Sequence, residues 1–221
     1  MTHSSPHSSM SASSPTRERH SSAWDRLLDV VIDPAHAFQG IDAHPVWGVA
    51  FVALVGLRFG SVLAFYRPDI TAAKLVTGML FQVVTLIPLI AILATLLRVA
   101  AAVWRARLTW SGAWSLTVHV MFAYTLATVA VASVAGALLP ESTDVDLRHP
   151  PFTNPAFLVV GAQSPVLHAL ALEADVRSAY AAVLLWVGVR AVAGAGGAAS
   201  RVVATCFAAA VLAAVCSPLL R

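Results

Sequence analysis

Charge is what this sequence has least of. Asp, Glu, Lys and Arg make up 11% of its 221 residues, against about 25% in ordinary soluble domains. Hydrophobic residues reach 58% and mean hydropathy is +0.78. That balance excludes a soluble globular domain and implies an all-α, polytopic membrane bundle. Lysine is almost missing, with Lys74 alone, while alanine is abundant; this bias points to a GC-rich, bacterial source. Acids are absent from every long apolar run, which removes the paired carboxylates and the His and Glu metal ligands that chemistry inside a bilayer needs. No H-E-x-x-H, G-x-S-x-G or phosphate-cradling loop is present either. An enzyme, a cofactor and a bound metal are therefore not expected. The basic residues are spread through the connections rather than gathered on one face, which argues topology rather than nucleic acid. Cysteine is limited to Cys206 and Cys216. Ten residues apart on one helix, they are separated by about 15 Å, too far for a disulfide.

What the sequence does have is long apolar runs. The stretch 75–97 holds 23 residues without a charge, and as a helix it reaches roughly 35 Å, enough to cross a hydrocarbon core of about 30 Å. Four more spans are expected at 46–66, 116–139, 179–195 and 202–220, giving about five transmembrane helices in a membrane domain over 46–221. Residues 1–23 are Ser-rich, carry Pro6 and Pro15 as breakers and lack the apolar core of a signal peptide; they should be disordered. Between tail and domain, residues 24–45 read as an interfacial amphipathic segment. Trp24, Leu27, Leu28 and Val31 repeat at helical spacing opposite Asp25, Arg26 and Asp29, and Ser22 with Asp25 forms a capping-box pattern. Residues 140–175 form an acidic connection in which Asp144, Asp146 and His149 match no defined metal site. Counting basic residues, eight inside against five outside, with Arg177 among the latter, puts the N-terminus in the cytoplasm of a bacterial cytoplasmic membrane.

Several residues inside the spans stand out. Arg58 lies near the middle of the first span, where a guanidinium costs from about 2.5 to about 10 kcal/mol or more, so it must face protein or water. Contact with a substrate or ion is one use. Pairing with carbonyls or headgroups is the other, and it is the expected one because no span holds an acid to balance it. His119 is expected to be a hydrogen-bonded structural residue. Pro88 removes an amide and should kink the second span, with Thr85 near the freed carbonyl of Val84. Thr128, Ala132 and Gly136 recur every four residues, a small-residue stripe suited to close helix packing.

Two local patterns resemble a known family. Pro34, Phe38, Ile41 and Pro45 are spaced P-x-x-x-F-x-x-I-x-x-x-P ahead of the first span, and Asp175, Tyr180 and Gly188 follow D-x4-Y-x7-G in the fourth. With the number and spacing of the spans, these resemble the Yip1 domain family of small membrane proteins, whose second pattern has Trp where Tyr180 stands. The resemblance covers residues 24 to the C-terminus and implies a five-span bundle with no catalytic residues. Eukaryotic members are linked to vesicle traffic and prenylated Rab-type GTPases. This chain lacks the Asp-Leu-Tyr-Gly-Pro motif of that branch and has no proline after Ala123 and Tyr124, departures that weigh against GTPase binding.

The functional expectation is a non-enzymatic multi-pass protein in membrane organisation, interacting with the lipid bilayer, with other membrane proteins or with its own copies as a homo-oligomer. The alternative is a small-solute transporter or channel with a polar path near Arg58, Pro88 and His119. The sequence shows no inverted repeat and no matched pair of broken helices, features common in secondary transporters.

Overall fold

The computed structural model describes residues 22–41, 45–64, 71–138, 171, 175–194 and 197–216, and all regular structure among them is helical. The Ser-rich tail and most of the acidic connection, including Asp144, Asp146 and His149, lie outside the described residues.

Helix α1 (Ala23–Ile32) begins with the expected capping box. The Ser22 N–H donates to Asp25 Oδ2 at 2.9 Å, and the Asp25 N–H donates to Ser22 Oγ at 3.1 Å. These bonds to the ionised form hold the Asp25 carboxyl below its ordinary value, the backbone N–H of Ser22 contributing most. Asp33 ends α1 and caps a single turn, α2 (Pro34–Ala37), whose first residue is a proline already set to helical φ. The chain then bends through Gly40 at φ 73°, and Phe38 and Ile41 are fully buried.

Five longer helices follow: α3 (Trp47–Ala64), α4 (Ala72–Val103), α5 (Trp110–Leu138), α6 (Val176–Ala193) and α7 (Ala198–Cys216). Each lies near its expected span, and the differences come from the caps. Thr71 accepts from the Lys74 N–H and starts α4 earlier than the apolar run. Thr109 accepts from the Gly112 N–H at 3.0 Å and starts α5 at Trp110 rather than 116. Helix α4 also continues past Arg98 to Val103, since arginine is a good helix former. Three helices are long and apolar enough to cross a membrane: α4, residues 110–134 of α5, and α6; α3 and α7 carry shorter apolar stretches.

Helix α5 is the hub. Helices α1, α3, α4 and α6 all pack on it, and α7 closes against α4 and α6. Successive long helices alternate in direction, as the paired positions show. Trp47 and Trp114 meet edge to face at 6.2 Å between ring centroids, so α3 and α5 start at one end of the bundle. Gly188 of α6 lies against Leu116 near the start of α5, while Arg177 at the beginning of α6 meets Thr128; α6 therefore runs antiparallel to α5.

The helices share two apolar clusters. One joins Phe38 and Ile41 to α4, α5, α6 and α7; the other joins Leu27, Ala50, Leu54, Leu86, Ile90 and Val118 from α1, α3, α4 and α5. Helix α1 thus turns Leu27 and Val30 into the bundle while Trp24, Leu28 and Val31 stay exposed. It packs on the protein through one apolar stripe and presents a second one outward. Pro88 is exposed on α4, and the helix is assigned without interruption through it. Thr85 Oγ1 donates to the carbonyls of Phe81 at 2.8 Å and Gln82 at 3.1 Å, not to the Val84 carbonyl that Pro88 leaves without its amide.

Candidate functional site

A buried ion pair lies beside Tyr124 on α5. Asp175 is the N-cap of α6, with Oδ1 accepting from the Arg177 N–H at 2.7 Å. Its Oδ2 accepts from Arg177 Nε at 2.8 Å and also from Nη2. The same guanidinium donates from Nη1 to Thr128 Oγ1 at 3.2 Å and stacks over the Tyr124 ring, 5.6 Å from its centroid. Thr128 in turn donates to the Tyr124 carbonyl at 2.8 Å. Both partners of the ion pair are nearly inaccessible, with side-chain exposures of 4% for Arg177 and 2% for Asp175.

Thr128 stands eighteen residues beyond Trp110 and ten before Leu138, about 27 Å and 15 Å along the helix axis. The start of α6 is therefore set down inside the bundle, well below the end of α5. Arg177, counted from sequence as an outside charge beside the fourth span, is a buried cation held by its own carboxylate.

Arg58 lies on α3. Eleven residues, three helical turns, separate it from Trp47, and eleven separate Thr125 from Trp114, so the parallel register that joins the two tryptophans brings Arg58 and Thr125 to one level. Arg58 Nε is buried without a hydrogen-bond partner, as are Thr125 Oγ1, Ser115 Oγ and Trp114 Nε1. Of these, Trp114 lies against α3, where its ring meets Trp47.

The other residues singled out from the sequence divide by location. His119 is buried; its Nδ1 donates to the Ser115 carbonyl at 2.7 Å and its ring meets Phe38 edge to face at 6.5 Å. Pro88 faces outward on α4, so Arg58, Pro88 and His119 do not line one surface. Ala132 has no exposed area and Thr128 serves Arg177, so this part of the small-residue stripe is used within the chain; Gly136 continues α5 one turn further.

The family-pattern residues are brought together more closely. A Cβ at Gly188 would stand 2.2 Å from Leu116 Cδ1 and 3.2 Å from Phe38 Cδ2, so the glycine is the gap that lets α6 close on α5 and on the turn after α2. Ile41 is buried beside Phe38, Tyr180 packs half-buried on the same cluster, and Asp175 forms the ion pair. Pro34 opens α2, and Pro45 is exposed just ahead of α3.

Sequence reasoning missed Arg177 and the role of Tyr124. The available signal was the D-x-R spacing at a helix start, where an N-cap acid can fold back onto an arginine two residues on. The chain matches no family model, no curated protein and no solved structure.

Proposed function

We propose that this chain is a non-enzymatic membrane protein with five crossings, similar to the Yip1 domain family, that acts in membrane organisation through contacts with other membrane proteins or with its own copies. The observation that carries this reading is how its buried ionisable groups are used. Among the described residues Asp175 is the one buried carboxylate, and it is bound to Arg177 on both oxygens while capping α6. A general acid or base must be able to exchange a proton with a reacting group. Asp175 instead fastens the first turn of its own helix, where Arg177 reaches Thr128 of α5, and His119 bonds the Ser115 carbonyl within α5.

Two further observations support parts of the proposal. Phe38 and Gly188, from patterns 150 residues apart, meet in one contact, which gives the family patterns a shared structural purpose. Helix α4 offers the outward surface, since only 22% of its most apolar stretch is buried within the chain. Partner helices can occupy that face alongside lipid.

The test is cysteine crosslinking in native membranes with Cys206 and Cys216 replaced by serine. Ile92→Cys and Leu80→Cys, on the exposed face, should give discrete crosslinked products, and Leu97→Cys, which is buried, should give none. If the exposed positions form no product at native expression, the interaction reading fails.

A further inference from the structure

The short connection between α4 and α5, residues 104–109, reads Trp-Arg-Ala-Arg-Leu-Thr and is followed by Trp110. Helix α4 ends there in a Schellman arrangement. The Ala106 N–H donates to the Ala101 carbonyl at 2.8 Å and the Arg105 N–H to the Ala102 carbonyl at 3.1 Å, with Arg105 at φ 55°. Glycine is the usual residue at this left-handed position, because a Cβ is disfavoured there. An arginine kept in such a conformation points to a use for its side chain.

The alternation of the turn shows where that side chain goes. Ala106 and Leu108 are buried, and Arg105 and Arg107 are exposed, so the apolar residues anchor the loop while both guanidiniums face outward. Trp104 and Trp110 flank them and are also exposed. From α7, Arg201 stacks on Trp104 at 5.2 Å, and Trp104 Nε1 donates to Thr205 at 2.9 Å. The 29-residue helix α5, capped by Thr109, starts at the same place and adds the positive end of its dipole.

Among the described residues, no carboxylate is paired with Arg105 or Arg107. No Asp or Glu occurs between Asp69 and Glu141 or after Asp175. On α1 and α2, Asp25 and Asp33 serve as helix caps, and Asp29 faces His36 at 3.3 Å.

We propose that the α4–α5 turn binds the phosphate of an anionic phospholipid headgroup. The turn joins two helices long enough to cross a bilayer, which puts it where headgroups lie. Tryptophan favours that boundary, and the planar guanidinium fork matches phosphate. This assignment goes beyond the interaction reading and does not depend on it.

Native mass spectrometry of the purified full chain, supplied with equal amounts of phosphatidylglycerol and phosphatidylcholine, tests the site. Phosphatidylglycerol adducts should dominate. Arg107→Gln and Arg105→Gly should each reduce them by about fivefold, the factor expected for one cation at a lipid surface. Arg105→Gly is the more telling variant because it relieves the backbone while removing the guanidinium, so its thermal midpoint should not fall. Lys74→Gln removes equal charge from the opposite end of α4 and should leave the adducts unchanged. Equal uptake of the two lipids, full retention in Arg105→Gly, or an equal loss in Lys74→Gln would overturn the site. Displacement of the lipid by millimolar inorganic phosphate would also overturn it, in favour of a soluble anion.

Discussion

At the scale of single residues, the interior of this bundle is decided by one ion pair and one missing side chain. Removing one partner of a buried pair leaves the other charge uncompensated and costs about 3–5 kcal/mol, whereas replacing both with apolar residues is often neutral. Arg177→Leu or Asp175→Leu alone should therefore lower the unfolding midpoint in detergent sharply, and the double variant should recover much of the loss. If the double variant is as unstable as the sum of the two, the pair is not acting as a unit. Asp175 also caps α6, so the Asp175 variant should be the worse of the two singles. Gly188→Ala adds a methyl where Leu116 already stands, an overpacking expected to cost about 1–3 kcal/mol. The same midpoint measurement checks it, and Leu116→Ala in the Gly188→Ala background should recover part of the loss. The strained Arg105 behaves in the opposite way: Arg105→Gly should stabilise by about 1 kcal/mol, since the left-handed conformation costs other residues about 1–2 kcal/mol.

At the scale of elements, helix α1 is fastened at its first turn by Ser22 and Asp25. Bonds to the ionised carboxyl place its folded pKa below the unfolded value of 3.8. The stabilisation is therefore fully present above pH 3.8 and is lost as pH falls through the lower, folded value. A spin label at Leu28→Cys should sharpen as α1 frays below that range and stay immobile from pH 5 to 8; Ser22→Ala should bring the fraying to higher pH. An α1 equally immobile at pH 3 would show that Leu27 and Val30 hold it without the cap. This capping box was legible in the sequence because it is local, as was the all-helical architecture with α4, α5 and α6 long and apolar enough to cross a membrane. Helix depth was not legible. Arg177 sits among Glu173 and Asp175 and reads as part of a solvated loop until the start of α6 is placed beside Thr128. The angular position of a residue was equally hidden. Pro88, Arg58 and His119 all mark polar or irregular points in apolar runs, yet Pro88 is exposed, Arg58 has a buried Nε and His119 meets Phe38. The repeat of Thr128, Ala132 and Gly136 reads as a helix-packing stripe, but the bond from Arg177 to Thr128 depends on α6, 49 residues away along a connection whose course no local pattern specifies.

At the scale of the molecule, direction and end composition combine into a prediction about orientation. The five long helices alternate, so the starts of α3, α5 and α7 share one end with the finishes of α4 and α6. That end carries Trp47, Trp104, Trp110, Trp114 and Trp186, together with Arg105, Arg107, Arg190 and Arg201. Arg190 stacks on Trp186 at 5.2 Å, as Arg201 does on Trp104, and aromatic rings of this kind settle at the membrane boundary. At the other end Arg177 is neutralised by Asp175, so it drops out of the charge comparison as a free cation, and the bias toward the tryptophan end increases. Positively charged connections stay on the cytoplasmic side, so the prediction is a cytoplasmic α4–α5 turn. Cysteine accessibility in intact cells, with Cys206 and Cys216 replaced by serine, tests all of this together. Arg107→Cys should resist a membrane-impermeant maleimide until the cells are opened, and a cysteine at residue 68, between α3 and α4, should react from outside at once. A C-terminal reporter should be external if α3 and α7 both cross with the other three helices. An internal C-terminus with the α4–α5 turn still inside would mean that α7 lies along the membrane instead of crossing it, reducing the bundle to four crossings.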